Sequence, residues 1–159
     1  MCGGEETFSF MIAIGSDHGG YELKEAIKGY FDSEKIPYKD LGTCSLESVD
    51  YSDIGILVAE AVKSGECDSG IVICGTGIGI SIAVNKVPGI RAALCTDPYM
   101  ARMAREHNDA NVLALGGRVL GEGLALEIVK TFISTPFSHE SRHQNRIDKI
   151  SAIEEQYKE

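Results

Sequence analysis

A cysteine followed by three alternating glycines stands in residues 71–80, IVICGTGIGI. Gly75, Gly77 and Gly79 allow a tight turn that points several backbone N–H groups at one place, which predicts an anion site. Cys74 stands directly before this glycine loop, where clustered N–H groups and a following helix N-terminus would stabilise a thiolate. Such a thiolate is suited to act as a nucleophile or a general base. The alternative is an inert cysteine buried in the core.

Two common phosphate-binding loops can be compared with this segment. A P-loop requires a lysine after its last glycine, and none follows Gly79, so that motif is excluded. A dinucleotide fingerprint requires a small residue where this chain has Ile80 or Ile82. Asp97 nevertheless lies about 20 residues further on, in the place of a ribose-binding acid. Dinucleotide binding therefore remains an alternative.

Histidines and arginines supply further candidate groups. His18 lies in SDHGG, His107 in REHND, and His143 stands between Arg142 and Arg146 in RHQNR. Arginines four residues apart on a helix point the same way, and their planar groups suit a bidentate grip on phosphate. The alternative for each of these side chains is a solvated surface position. The pattern is compatible with a small anionic ligand.

Composition limits the classes of function. The 159 residues suit one domain, and the net charge of −9 argues against nucleic acid or an anionic membrane as the partner. Five cysteines without C-x-x-C spacing predict neither disulfides nor zinc, which favours a reducing, cytoplasmic location. No apolar run is long enough to span a membrane. Residues 1–10 are predicted to form a flexible extension, and residues 11–159 a single domain.

Strand and helix patterns alternate along the rest of the chain. Five apolar segments separated by helices predict a five-stranded parallel sheet in a three-layer, doubly wound, Rossmann-like α/β sandwich. Ligands of such folds bind beyond the carboxyl ends of the strands, where the chemically active segments stand. We expect Asp53 to cap the second helix and Pro98 to start the fourth. The last helix carries Ile147, Ile150 and Ile153 on one side, for its own sheet or for a dimer interface.

Five motifs occur in a specific order from about Met11 to the end of the chain: SDHGG, DYSDIG, ICGTGIG, REHNDANVLALGGR and RHQNRI. Together they resemble the type B ribose-5-phosphate isomerases, a family that also includes galactose-6-phosphate and allose-6-phosphate isomerases. The resemblance implies interconversion of D-ribose 5-phosphate and D-ribulose 5-phosphate through an enediolate, in the non-oxidative branch of the pentose phosphate pathway. It implies no metal, no cofactor, and a homodimer or tetramer with shared active sites. A hexose-6-phosphate isomerase and a non-catalytic nucleotide-binding module are the alternatives.

The resemblance also implies a role for each matched residue. Cys74 is implied to move a proton between C2 and C1, with the Thr76 hydroxyl at the substrate oxygens and the glycine-loop amides around the enediolate. His107 is implied to open the furanose ring, and Asp17 to assist on its other side. Part of the phosphate grip is implied to come from the neighbouring subunit. Contacts to the sugar or its phosphate are implied for His18, Tyr51, Asn108, Arg118, Arg142 and Arg146.

Overall fold

The computed structural model describes residues 10–158, which form five strands and six helices. The strands are β1 (Ile12–Ser16), β2 (Tyr38–Asp40), β3 (Ser69–Cys74), β4 (Ala92–Leu94) and β5 (Val112–Gly116). The helices are α1 (Tyr21–Glu34), α2 (Tyr51–Lys63), α3 (Ile78–Val84), α4 (Pro98–Glu106), α5 (Glu122–Ser134) and α6 (Ser141–Gln156). The predicted N-terminal extension lies, apart from Phe10, outside the described residues. None of these six helices is both long and apolar enough to cross a bilayer.

The strands form one parallel sheet, as the apolar segments predicted, and their order is β2-β1-β3-β5-β4. Ile12, Ile14 and Ile73 point to one face, in a core with residues of α1, α4 and α5. Ala13 and Val72 point to the other face, where α2 and α3 pack. Burial on both faces explains why these strands read as continuous apolar runs. The predicted three-layer, doubly wound sandwich is confirmed.

The order of the strands decides which loops meet. β5 lies between β3 and β4, although it follows both of them in the sequence. Cys74 at the end of β3 is consequently in register with Gly116 at the end of β5. On the other side of β3, Ile73 is in register with Ser16 at the end of β1. The three segments that follow β1, β3 and β5, which carry predicted site residues, therefore leave the same edge of the sheet side by side.

Two aspartates at helix starts differ in role from their sequence-based interpretation. Asp50 occupies the cap position of α2, so the expectation that Asp53 caps this helix is wrong; Asp53 lies in its first turn and donates its N–H to Asp50 O at 3.2 Å. Asp97 caps α4, since its Oδ1 accepts the N–H of Met100 at 2.8 Å. The helix begins at Pro98, as expected. Asp97 thus has a structural task at the place expected of a ribose-binding acid.

The isoleucine stripe of α6 is divided between two environments. Ile147 is buried against the rest of the chain, whereas Ile150 and Ile153 are 42% and 55% exposed. Glu154 fixes the end of the helix by accepting the N–H of Gly89 at 3.1 Å. The fold of this chain therefore covers only the first part of the stripe.

Candidate active site

Cys74 ends β3 and is buried, with its sulfur directed into its own loop. The N–H of Gly77 donates to Cys74 Sγ at 3.1 Å, so the glycine loop curls back over the thiol. Gly77 has φ +79°, and a Cβ there would lie 2.6 Å from Leu94 Cδ1. Only glycine meets both the dihedral and the space requirement. A backbone N–H thus points directly at the sulfur of the buried thiol.

Backbone hydrogen bonds attach this loop to the end of β5. The N–H of Gly117 donates to Cys74 O at 2.8 Å, and that of Arg118 donates to Gly75 O at 2.9 Å. The guanidinium of Arg118 lies close to the same loop, since a Cβ at Gly75 would lie 3.4 Å from Arg118 Nη1. The end of β5 therefore fixes the backbone at Cys74 and Gly75, and the positive charge of Arg118 lies beside Gly75.

The SDHGG turn after β1 lies against the same loop. A Cβ at Gly19 would lie 3.1 Å from Gly75 N, which places the two loops in contact. Asp17 is buried, and its Oδ1 accepts the N–H of Gly20 at 3.1 Å, which holds the turn. His18 Nδ1 accepts the N–H of Val49 at 3.2 Å. Val49 has no sequence signal because its contribution is a backbone amide.

Tyr51 and Thr76 lie on the solvent side of the glycine loop. The ring of Tyr51 covers Gly79 so closely that a Cβ there would lie 2.6 Å from Tyr51 Cζ. Thr76 is exposed, and its Oγ1 accepts the N–H of Ile78 at 3.2 Å. Both side chains remain accessible to a ligand above the glycine loop. The carboxyl-edge cluster, as we name this group, consists of Asp17, His18, Tyr51, Cys74, Thr76 and Arg118 with the glycine loop.

The other predicted residues stand at the opposite edge of the sheet. α4 starts at the carboxyl edge and runs back for nine residues, about 13 Å, so His107 and Asn108 come to the amino edge. Asn108 O accepts the Nε–H of Arg91, which directly precedes β4, at 3.0 Å. A single chain therefore does not bring His107 and Asn108 to Cys74. The amino-edge cluster, as we name it, consists of His107, Asn108, Arg142, His143 and Arg146.

His143 connects the members of this second cluster. Its ring centroid lies 4.1 Å from that of His107, and its Nδ1 shares a hydrogen bond with Ser138 Oγ at 2.8 Å. Its burial, together with the positive charges of His107 and Arg142, holds the pKa of His143 below its usual range. The structural role of His143 was not predicted, although its spacing of four from the buried Ile147 could have indicated it.

The two arginines of the amino-edge cluster are exposed. Arg142 Nε donates to Glu140 Oε2 at 2.7 Å, which lowers the pKa of the Glu140 carboxyl. Arg142 and Arg146 lie on the same helix as His143, one residue before it and three after it. They form a solvent-facing pair of positive charges at the amino edge.

Two other buried cysteines are chemically different from Cys74. Burial raises the pKa of the Cys95 thiol to about 11, and the negative charge of Asp97 adds to the shift. Burial likewise raises the pKa of the Cys67 thiol. Cys95 Sγ donates to Ala93 O at 3.8 Å, whereas Cys74 Sγ accepts. Within residues 10–158, no three histidine, cysteine or acidic side chains group as metal ligands would.

The fold and this arrangement define an α/β protein with a buried thiol and a glycine loop at the carboxyl edge of its sheet. Residues 12–150 match the family described as Ribose/Galactose Isomerase, and the chain belongs to this family. The chain is 48% identical to ribose-5-phosphate isomerase B of Escherichia coli over 144 residues, covering 91% of this chain and 96% of that protein.

Solved structures agree with this assignment. Ribose-5-phosphate isomerase B of Clostridium thermocellum superposes with a TM-score of 0.91 at 61% identity, covering 93% of this chain and 99% of that chain. Ribose-5-phosphate isomerase B of Mycoplasma genitalium, with bound ribulose-5-phosphate, gives 0.87 at 42% identity and covers 92% and 97%. The predicted fold and the predicted membership of an isomerase family are confirmed. The individual site residues stay predictions.

Proposed function

We propose that this chain interconverts D-ribose 5-phosphate and D-ribulose 5-phosphate, with Cys74 as the base. One observation carries the proposal: in a chain of this family, Cys74 Sγ accepts an N–H at the carboxyl edge of the sheet, and the Arg118 guanidinium lies beside the adjoining Gly75. The relatives described above are named for this reaction, and one holds its product. We place the chain in the cytoplasm, because sugar phosphates are soluble metabolites and the four cysteines within residues 10–158 are free thiols.

The proposed reaction needs one proton to move between neighbouring carbons. The Cys74 thiolate takes the proton from C2 of the open-chain aldose, and the electron pair of that bond forms the enediolate. The resulting thiol returns the proton to C1 while the proton of the C2 hydroxyl passes to the C1 oxygen, which gives the ketose and regenerates the thiolate. Thr76 and the glycine-loop amides donate to the sugar oxygens where negative charge develops. No oxidant, metal or nicotinamide enters this balance.

Binding of the phosphate keeps the reacting carbons at the thiol. Arg118 lies beside Gly75 and His18 lies in the SDHGG turn, which contacts the same loop, and a guanidinium suits bidentate contact with a phosphate. Tyr51, whose ring covers Gly79, limits the space above the loop and contacts the sugar. A phosphate held at one end fixes the distance from the other end of the sugar to Cys74, which lowers the entropic cost of the reaction. Ring opening is assigned to His107, with Asp17 assisting.

A second copy of the chain would bring the two clusters together. Because His107 and Asn108 lie at the amino edge, the site of one chain is completed by the amino-edge cluster of another. Exposed apolar side chains near the β4 edge support this arrangement, since Tyr99 of α4 is 62% exposed and Ile150 and Ile153 of α6 are half-exposed. A stable dimer buries about 800 Å² on each partner, and such a face would supply apolar area. Arg142 and Arg146 of the second copy would then complete the phosphate grip.

The test is isomerisation of ribose 5-phosphate by the purified chain in the presence of a chelator, without nicotinamide. We expect turnover by the unmutated chain and its loss in Cys74→Ala. Turnover in both would assign the base to another residue, and dependence on added metal would contradict the mechanism. Because the family description also includes galactose isomerases, allose 6-phosphate and galactose 6-phosphate are assayed beside it. A higher kcat/KM on either would overturn ribose 5-phosphate as the substrate.

A further inference from the structure

A lysine is completely buried next to the carboxyl-edge cluster. Lys24 of α1 has no exposed side-chain area, and its Nζ donates to Asp40 Oδ1 and Oδ2 at 2.8 and 2.7 Å. Lys28 also donates to Asp40 Oδ2 at 2.8 Å, and the N–H of Gly42 donates to Oδ1 at 2.9 Å. The Asp40 carboxylate, at the end of β2, therefore holds a helix on one side and a loop on the other.

The loop of residues 41–50 follows Asp40 and lies beside the SDHGG turn. Gly42 O accepts the N–H of Ser16 at 2.6 Å, and the N–H of Thr43 donates to Ser16 O at 2.6 Å. At the other end of the loop, the N–H of Val49 donates to His18 Nδ1 at 3.2 Å. The loop therefore holds residues 16–18 through Ser16 and His18, and its own start is held by Asp40.

The contact with Val49 determines which nitrogen of His18 carries the hydrogen. An N–H that points at Nδ1 requires a lone pair there, so the hydrogen is on Nε2. Nε2–H is then the donor that His18 offers to an anion. We propose that the buried Lys24–Asp40 pair positions the loop of residues 41–50 and thereby fixes His18 as an Nε2–H donor to the substrate phosphate. The phosphate role rests on the function proposed above.

A buried ion pair is a costly way to join a helix to a strand, and apolar residues of similar volume are often at least as stable. An apolar pair could not accept the N–H of Gly42, however, and the loop would lose its fixed start. Removing Lys24 alone would leave an unpaired buried carboxylate and would itself destabilise the fold. The informative change therefore replaces both partners.

The experiment compares Lys24→Met/Asp40→Leu with Lys28→Met, which removes only the outer partner of the same carboxylate. Imidazole nitrogen NMR of the substrate-free proteins, with the His18 signal assigned from His18→Gln, reports where the ring hydrogen sits. We expect a single Nε2–H form in the unmutated chain and in Lys28→Met, and a mixture of both tautomers in the double variant. We also expect the double variant to raise KM for ribose 5-phosphate about tenfold with kcat changed less than about twofold.

Thermal unfolding identifies any loss of fold, and the double variant is expected to melt within a few degrees of the unmutated chain. A folded double variant with an unchanged tautomer and an unchanged KM would overturn the proposal. So would an equal effect of Lys28→Met. No turnover by the unmutated chain would contradict the proposed function instead. The NMR spectra are recorded without substrate, so they would still decide whether the pair positions His18.

Discussion

The carboxyl-edge and amino-edge clusters are built in different ways. The first is held by backbone hydrogen bonds between strand ends, such as Gly117 N–H to Cys74 O at 2.8 Å. The second consists of side chains at the ends of α4 and on α6, and its two arginines are exposed. One chain thus fixes the proposed base but holds the proposed ring-opening histidine and two of the proposed phosphate-binding arginines at the other edge of the sheet. The proposed completion of the site by a second chain would account for this difference.

The largest expected effect tests whether the chemistry belongs to the carboxyl-edge cluster. Cys74→Ala removes the proposed base and should lower kcat about a thousandfold, since general base catalysis contributes roughly a hundredfold to ten-thousandfold. Cys95→Ala is the matched control, because that thiol is equally buried but its pKa is raised to about 11. Steady-state rates on ribose 5-phosphate measure both. Equal losses in the two variants would mean that the effect comes from packing.

The next effect tests whether the clusters act across two chains. Cys74→Ala and His107→Gln should each be nearly inactive alone. After equal amounts are unfolded and refolded together, about a quarter of the unmutated activity should return, because half of the dimers are mixed and each has one intact site. Cys74→Ala refolded with an equal amount of unmutated chain calibrates the refolding yield, because every unmutated Cys74 then meets an intact His107 and half of the activity should return. No recovery in the mixture would assign both residues to the same chain.

A smaller effect is expected at the apolar β4 edge. Ile150→Lys places a charge in the exposed part of the α6 stripe and should weaken association about tenfold or more, measured by light scattering across a dilution series. Leu57→Lys, an exposed leucine on α2, is the control and should leave association unchanged. If both variants associated like the unmutated chain, the α6 stripe would not be part of the interface.

The smallest effect concerns the pH dependence of stability at the amino-edge cluster. The pKa of His143 is below its ordinary value of 6.5 in the folded chain, so the unfolded chain binds a proton that the folded chain does not. This contribution to stability is complete above about pH 6.5 and is lost as the pH falls from there through the folded pKa.

Melting temperatures at about pH 7.5 and about pH 5.5 check the sign of this linkage. The unmutated chain should lose a few degrees more than His143→Asn, which cannot titrate. His139→Gln removes an exposed histidine nearby and should behave like the unmutated chain. A fall of equal size in all three proteins would contradict the assignment to His143.

The sequence predicted those features that depend on local pattern. Continuous apolar runs such as β3 indicated buried parallel strands, and parallel strands bring Cys74, His18 and Arg118 to one edge. The insertion of β5 between β3 and β4 has no local signal, because it depends on how the helices pack. The expectation that Asp53 caps α2 is wrong because Asp50 stands directly before the first residue of the helix, at the cap position.

Sequence patterns also do not predict contacts between segments that are distant along the chain. The N–H of Val49 reaches His18 across 31 residues, and a backbone donor leaves no trace in residue type. The contact of His143 with His107 depends on where α6 lies against the end of α4. Lys24 looks like an ordinary charged helix residue until Asp40 is placed next to it.

The hydrogen bonds from β5 to the thiol loop use only main-chain atoms. Because Gly117 and Arg118 hold Cys74 and Gly75 through amides, most side chains could replace Arg118 without moving the sulfur. Substitutions that change the proposed substrate contact at Arg118 can therefore leave the position of Cys74 unchanged. During evolution, single substitutions at position 118 could change which substrates bind, while the proposed base Cys74 and its main-chain contacts are inherited unchanged.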